Sequence, residues 1–298
     1  FLSRTPYFAS SPVLTVDEDN LYEYFIETAD LNLDELYVIT SSELPSWLSL
    51  EVTGNNTATL SGTPTNDDIG FPYDTRDFEI TIHVEDWAHE TFDQNFTITV
   101  NGVNDPPEPQ DDAISTIEDV PIGVEVLDND SDDDGNLPPD LVTVVTPPLH
   151  GAAAVNPFTG EITYSPDTHY NGEDSFQYQV TDDGTPLPAL STTATVSITI
   201  AAVNDPPFTG VDTANLDEDH SVEIGVLAND SDVDGALVLS SLAVVVNAEN
   251  GMTQVDNNTG VITYTPNENY NGSDSFQYRI YDDGSPEPAL ASVETVEI

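Results

Sequence analysis

The sequence predicts an all-β protein of three tandem β-sandwich domains, about seven strands each, arranged end to end. Three observations lead there. Two long stretches repeat at a constant offset of one hundred residues: Val103-Asn104-Asp105-Pro106-Pro107 recurs as Val203-Asn204-Asp205-Pro206-Pro207, Glu118-Asp119 as Glu218-Asp219, Asn129-Asp130-Ser131-Asp132 as Asn229-Asp230-Ser231-Asp232, and Asp182-Asp183-Gly184 as Asp282-Asp283-Gly284. A register held over that distance marks tandem domains rather than a thin solenoid. Val, Ile, Thr, Tyr and Phe dominate the periodic segments, while 22 prolines and 17 glycines cut the 298 residues into short runs. The clearest segments alternate apolar and polar residues with period two, as strands buried on one side do.

The elements follow in order. The first unit, 1–105, is a divergent relative of the other two. It opens on Asp17-Glu18-Asp19 and carries alternating strands at Phe78–Glu85 and Phe96–Val100. Its Leu44-Pro45-Ser46-Trp47-Leu48 and Leu60-Ser61-Gly62-Thr63-Pro64 have no counterpart in the other units. Trp47, beside Leu48, is expected in the core; Trp87, beside Asp86, is expected in a loop. The second unit, 106–205, reads as strands Ala113–Ile117, Ile122–Leu127, Leu141–Val145, Gly151–Val155, Glu161–Ser165, Ser175–Thr181 and Thr193–Ala201. Phe176, Tyr178 and Val180 share one face, and so do Ala194, Val196, Ile198 and Ile200. Seven such strands in about one hundred residues fit an immunoglobulin-like sandwich. The third unit, 206–298, repeats this plan and is truncated at its last strand. Boundaries fall at Asp105/Pro106 and Asp205/Pro206, where a Pro-Pro step fixes φ and stiffens the junction. The chain opens on Phe1, and counterparts of Thr199 to Pro207 are missing from the third unit, so a longer parent protein is expected.

The charge narrows the partners. Fifty-six carboxylates against three arginines and no lysine give a net charge of −53, which repels nucleic acid and anionic membranes. No apolar run is long enough for direct membrane insertion, and a monomer is expected. The absence of cysteine excludes disulfides and thiolate metal sites, leaving bound metal as a source of stability for an extracellular domain. Solubility in brine explains the scattered acids. It does not explain runs such as Asp128 to Asp134 at matching positions in both repeats, for which a divalent cation is the better account.

Asp130-x-Asp132-x-Asp134-Gly135, with Asp230-x-Asp232-x-Asp234-Gly235, matches the first half of an EF-hand loop. The match ends at position twelve, where Leu141 or Ser241 replaces the bidentate Glu. Alternating carboxylates before a Gly turn still converge hard oxygens on one point, and calcium takes six to eight of them. A plain alternative has Asp and Asn shaping the loop through Asx turns.

In these motifs the chain resembles the cadherin-like repeats of large bacterial surface adhesins. Val-Asn-Asp-Pro-Pro is similar to the Asp-x-Asn-Asp-Asn linker of cadherins, and Val180-Thr181-Asp182-Asp183-Gly184 to their Ala-x-Asp-x-Gly segment. Glu118 followed by Pro121-Ile122-Gly123 is similar to the first-strand Pro-Glu-Asn segment. Trp47 with Leu60-Ser61-Gly62-Thr63-Pro64 makes the first unit resemble the dystroglycan-type variant. Gly102 and Ala202, with Pro106 and Pro206, stand where cadherin linkers have Asp and Asn, so each linker offers fewer side-chain ligands. The resemblance implies Ca2+ bound at each junction. The first would gather Glu18, Asp67 or Asp68, Asn104, Asp105, Asp130, Asp132, Asp134 and Asp182. The second would gather Glu118, Asp167, Asn204, Asp205, Asp230, Asp232, Asp234 and Asp282.

No enzymatic motif emerges. The five histidines (His83, His89, His150, His169, His220) form no His-Glu-x-x-His, there is no nucleophile elbow, and so many acids make any glycosidase pair uninformative. His150 and His169 read as loop residues. The expectation is a non-enzymatic, calcium-rigidified extender of a secreted or cell-surface bacterial adhesin, holding a distal adhesive head away from the cell. A second reading makes the first domain a module for carbohydrate or another cell's surface, favoured by an exposed Trp87 or Tyr73. A third makes the chain an accessory region of an extracellular polysaccharide-degrading enzyme.

Overall fold

A computed structural model describes residues 5–29, 38–70 and 74–298; Tyr73 lies outside them. Each of the three domains folds as two facing β-sheets. In the first, one sheet runs in the order Tyr7–Phe8, Tyr22–Ala29, Thr57–Gly62, Leu48–Val52. The other runs Thr15–Asp17, Thr91–Asn101, Thr75–Glu85, Val38–Ser41. Thr15–Asp17 pairs in parallel with the end of Thr91–Asn101, which places Glu18 beside the exit of the domain.

Alternation explains this packing. Tyr22, Tyr24 and Ile26 are buried while Glu23, Phe25 and Glu27 are exposed, so one face of that strand meets Ile80, Ile82 and Ile98 from the opposite sheet. Each such side chain contributes about 1.5–3 kcal/mol on burial. Trp47 packs edge-on against Tyr22 and Phe78, at centroid distances of 6.0 and 5.6 Å. Gly62 lies so close to this corner that a Cβ there would stand 1.8 Å from the Trp47 carbonyl oxygen.

The second domain has one sheet ordered Ile122–Val124, Ile162–Pro166, Gly151–Val155 and another ordered Thr143–Thr146, Gly172–Thr181, Ser191–Ala201, Asp112–Ile117. The third repeats both: Val222–Ile224, Val261–Pro266, Gly251–Asp256, and Ala243–Val246, Ser275–Tyr281, Ala291–Glu297, Asp212–Thr213. Phe176, Tyr178, Val180, Ala194, Val196, Ile198 and Ile200 are all buried, as their period-two spacing predicts.

Two strand expectations need correction. The strand read as Ile122–Leu127 ends at Val124, because Glu125 to Asp128 form a turn closed by Asp128 N–H donating to Glu125 O at 3.1 Å. Val126 stays fully buried within that turn, so its apolar character mimics strand. Leu141 belongs to a 3₁₀ turn, Pro139–Leu141, and the strand is Thr143–Thr146 with an irregularity between Val144 and Thr146.

By internal contacts the chain divides into two compact units. One takes the first domain through Ile114, with Ile122–Tyr164 and Ser175–Ser197; the other takes Ser115–Pro121, Ser165–Asp174 and Ile198–Ile298. The division passes through the second domain, so each Val-Asn-Asp-Pro-Pro linker lies within a single unit together with the groups around it.

Candidate metal sites at the two linkers

The first linker is held by groups from both sides. Glu18 is 2% exposed; one carboxylate oxygen, Oε1, accepts from Val103 N–H at 2.6 Å. Burial pushes its carboxyl pKa up, and the charges of Asp105 and Asp19 add to the effect. Asp105 donates its N–H to Asp134 Oδ2 at 2.9 Å, and its own Oδ2 accepts from Asn66 Nδ2 at 2.8 Å. Asn104 donates through Nδ2 to Asp182 Oδ2 at 2.9 Å.

The Asp-rich loop has a defined shape. Asp132 Oδ1 accepts from Gly135 N–H at 2.6 Å and from Asp134 N–H at 3.3 Å. A Cβ at Gly135 would come within 2.9 Å of that same oxygen, so the turn favours glycine. Burial, reinforced by the neighbouring Asp132 and Asp105 carboxylates, pushes Asp134 up to about 7.

The second linker repeats these bonds. Glu118 accepts from Val203 N–H, Asp205 N–H donates to Asp234 Oδ2 at 3.0 Å, Asn204 Nδ2 donates to Asp282 Oδ2 at 2.9 Å, and Gly235 N–H donates to Asp232 Oδ1 at 2.6 Å. Burial raises the Asp232 pKa, and Asp234 beside it adds to the rise. The partner of the linker carboxylate differs: Asp205 Oδ2 lies 2.7 Å from His169 Nδ1. Ligand atoms of Glu118, Asp119, His169 and Asp205 all lie within 4.8 Å of one another.

The sequence-derived ligand sets divide accordingly. Glu18, Asn104, Asp105, Asp132, Asp134 and Asp182 are linked around the first linker by hydrogen bonds and neighbouring charges, as Glu118, Asn204, Asp205, Asp232, Asp234 and Asp282 are around the second. Asp130 and Asp230 bond within the repeat instead. Asp130 accepts from Gln110 N–H at 2.9 Å and from the buried Tyr178 hydroxyl at 3.2 Å, and Asp230 accepts from Gly210 N–H and the Tyr278 hydroxyl. They anchor the repeat's own core, because a buried Tyr hydroxyl needs an acceptor. Asp68 caps the short helix Asn66–Ile69, accepting from Thr65 N–H at 3.0 Å, and Asp67 and Asp167 are exposed. Asp182 and Asp282 already accept from Gly184 and Leu190, and from Gly284 and Leu290, through backbone N–H groups. Sequence reasoning missed Asn66, Asp119 and His169. Adjacency of Asp119 to Glu118 was the available signal for one; the other two have no period or motif.

The donor chemistry fits a hard cation. Among the described residues, buried Glu18 Oε2, Asn104 Oδ1, Asp132 Oδ2 and Asp134 Oδ1 accept no hydrogen bond, nor do Asn204 Oδ1, Asp232 Oδ2 and Asp234 Oδ1. Leaving buried carboxylate oxygens unsatisfied costs several kcal/mol as a set unless a cation neutralises them. Calcium would meet these oxygens with the ligand type it requires, and these residues would hold it.

Three family models match successive segments of the chain. Residues 5–101 match a family model described as a putative Ig domain, 104–202 one described as a bacterial cadherin-like domain, and 204–294 one described as a bacterial Ig domain. No curated protein matches the chain. Among solved structures, mouse cadherin-23 EC22-24 is similar with TM-score 0.50 and 18% identity, covering 99% of this chain and 99% of that one. The protocadherin GammaB4 extracellular domain is similar with TM-score 0.46 and 16% identity over 98% of this chain, which spans 50% of its length. An endo-fucoidan hydrolase from glycoside hydrolase family 107 gives TM-score 0.29 at 16% identity, covering 98% of this chain and 44% of that one. No helix among the described residues is long and apolar enough to cross a membrane. The chain is a tandem of three immunoglobulin-like and cadherin-like β-sandwich domains.

Proposed function

We propose that this chain is a non-enzymatic, calcium-binding extender segment of a secreted or cell-surface bacterial adhesin, rigidified by Ca2+ and holding a distal adhesive head away from the cell. The observation that supports it is the same at both linkers: buried, unsatisfied Asn and Asp oxygens beside a Pro-Pro step. Domain limits at Asp105/Pro106 and Asp205/Pro206 put these oxygens on the linker and the domain that follows, and Glu18 or Glu118 on the domain before. A cation held by both sides resists hinging, which domains joined by a small interface otherwise do. Solution scattering with calcium and with chelator tests this directly. The distance distribution should broaden after chelation; an unchanged distribution would mean that the prolines alone set the angles.

A second reading rests on one residue. Trp87 is 67% exposed on the first domain, and an exposed indole is a stacking surface for a sugar ring. Carbohydrate-array binding that Trp87→Ala abolishes would assign the first domain a recognition role.

A further inference from the structure

We propose that the second linker, unlike the first, binds a divalent transition metal of the zinc type through His169 Nδ1, with carboxylate ligands from Glu118, Asp119 and Asp205. This rests on the calcium reading only in sharing Glu118 and Asp205 with it. The imidazole nitrogen lies 2.7 Å from Asp205 Oδ2 and 3.6 Å from Asp119 Oδ2. The four ligand atoms span no more than 4.8 Å, about twice a metal–oxygen bond, so one ion can reach them all with small adjustments. Three carboxylates converge there on one imidazole, and Glu118, 4% exposed, brings its charge into a nearly dry position.

The scaffold that presents His169 recurs without the imidazole. His169 sits at φ +57 and donates its N–H to Asp119 Oδ1 at 3.1 Å. One hundred residues later Asn269 sits at φ +56 and donates its N–H to Asp219 Oδ1 at 2.8 Å. At the first linker the side chain on Asp105 Oδ2 is again an amide, Asn66. An amide nitrogen donates a hydrogen bond and cannot ligate, whereas neutral imidazole is a favoured ligand of zinc-type ions and a poor one for calcium. Exchanging amide for imidazole on the same turn therefore changes which cations the site prefers.

Isothermal titration of the whole chain with zinc chloride tests this, beside His169→Asn, which installs the residue found in the third domain. The wild type should bind one tight zinc equivalent, weakened about tenfold or more in the variant, with the circular dichroism spectrum unchanged. Zinc should also shift the ring ¹⁵N resonances of His169 ahead of those of His83 and His89, which already contact Asp93 and Glu85. Equal zinc affinity in His169→Asn, or ring shifts confined to the other histidines, would overturn the proposal. The two readings fail separately. Calcium-dependent melting with His169-independent zinc binding removes only this inference; His169-dependent zinc binding without any calcium response removes only the calcium-extender reading.

Discussion

The two linkers share most of their hydrogen bonds and differ in the side chain that meets the Asp105 or Asp205 carboxylate. From the linker onward the bonds agree to within about 0.1 Å: Asp105 or Asp205 N–H to Asp134 or Asp234, Asn104 or Asn204 to Asp182 or Asp282, and Gly135 or Gly235 to Asp132 or Asp232. Those bonds belong to the following domain, and the following domains are repeats. The differing side chain comes from the preceding domain, which is divergent at the first linker and a repeat at the second. There a one-turn helix supplies Asn66, and a positive-φ turn supplies His169. A junction is thus written by two domains, and its individuality resides in the one before it.

The largest expected effect should be common to both linkers. Calcium at about one hundred times Kd stabilises a folded state that alone binds it by ~2.7 kcal/mol, so melts with calcium and with chelator should separate by several degrees. Superimposed melts would show that the unsatisfied oxygens hold no calcium. Next in size is the coupling within one linker. Asp205→Ala and Asp232→Ala should each weaken one calcium-binding event, with a non-additivity of about 0.5–3 kcal/mol in the double variant. Additive losses by calorimetry would mean separate sites. Asp205→Ala should leave the first linker intact, since Glu18, Asp105 and Asp132 surround a different point.

A smaller effect isolates the preceding-domain side chain. Asn66→Ala removes an amide–carboxylate hydrogen bond worth about 1 kcal/mol at a partly exposed position. It should lower the stability of the first domain pair and leave the second unchanged; equal effects on both would erase the distinction. The smallest concerns the repeat core. Burial, with the Asp230 charge adding, pushes Asp212 from 3.8 to about 6, so the fold favours its protonated form. This contribution is fully present below about pH 3.8 and is lost as pH rises through about 6. In calcium-free buffer the third domain should therefore lose stability between about pH 4 and 6, less so in Asp212→Asn. Parallel pH profiles for the two proteins would contradict the assignment.

Much of the fold is legible in the chain. Period two identified Gly172–Thr181 and Ser191–Ala201 to within three residues, because a strand buried on one face must alternate. It failed at Val126, where a turn buries an apolar residue without strand pairing. In the ligand sets, Asp132 and Asp134 of the Asp-x-Asp pattern bond beside the linker, Asp134 to Asp105 N–H and Asp132 to Gly135 N–H. The first carboxylate of the same pattern, Asp130, instead meets a Tyr hydroxyl from a strand forty-eight residues away.

By itself the sequence determined the β architecture of three tandem domains, since periodicity and a hundred-residue repeat are properties of the chain. Only the tertiary structure decided that Asn66 meets Asp105, that His169 meets Asp205, and that Asp130 and Asp230 meet Tyr hydroxyls. Those choices depend on which loops of one domain reach the next, and on which buried hydroxyl captures an acid first. Neither distance is encoded in local spacing.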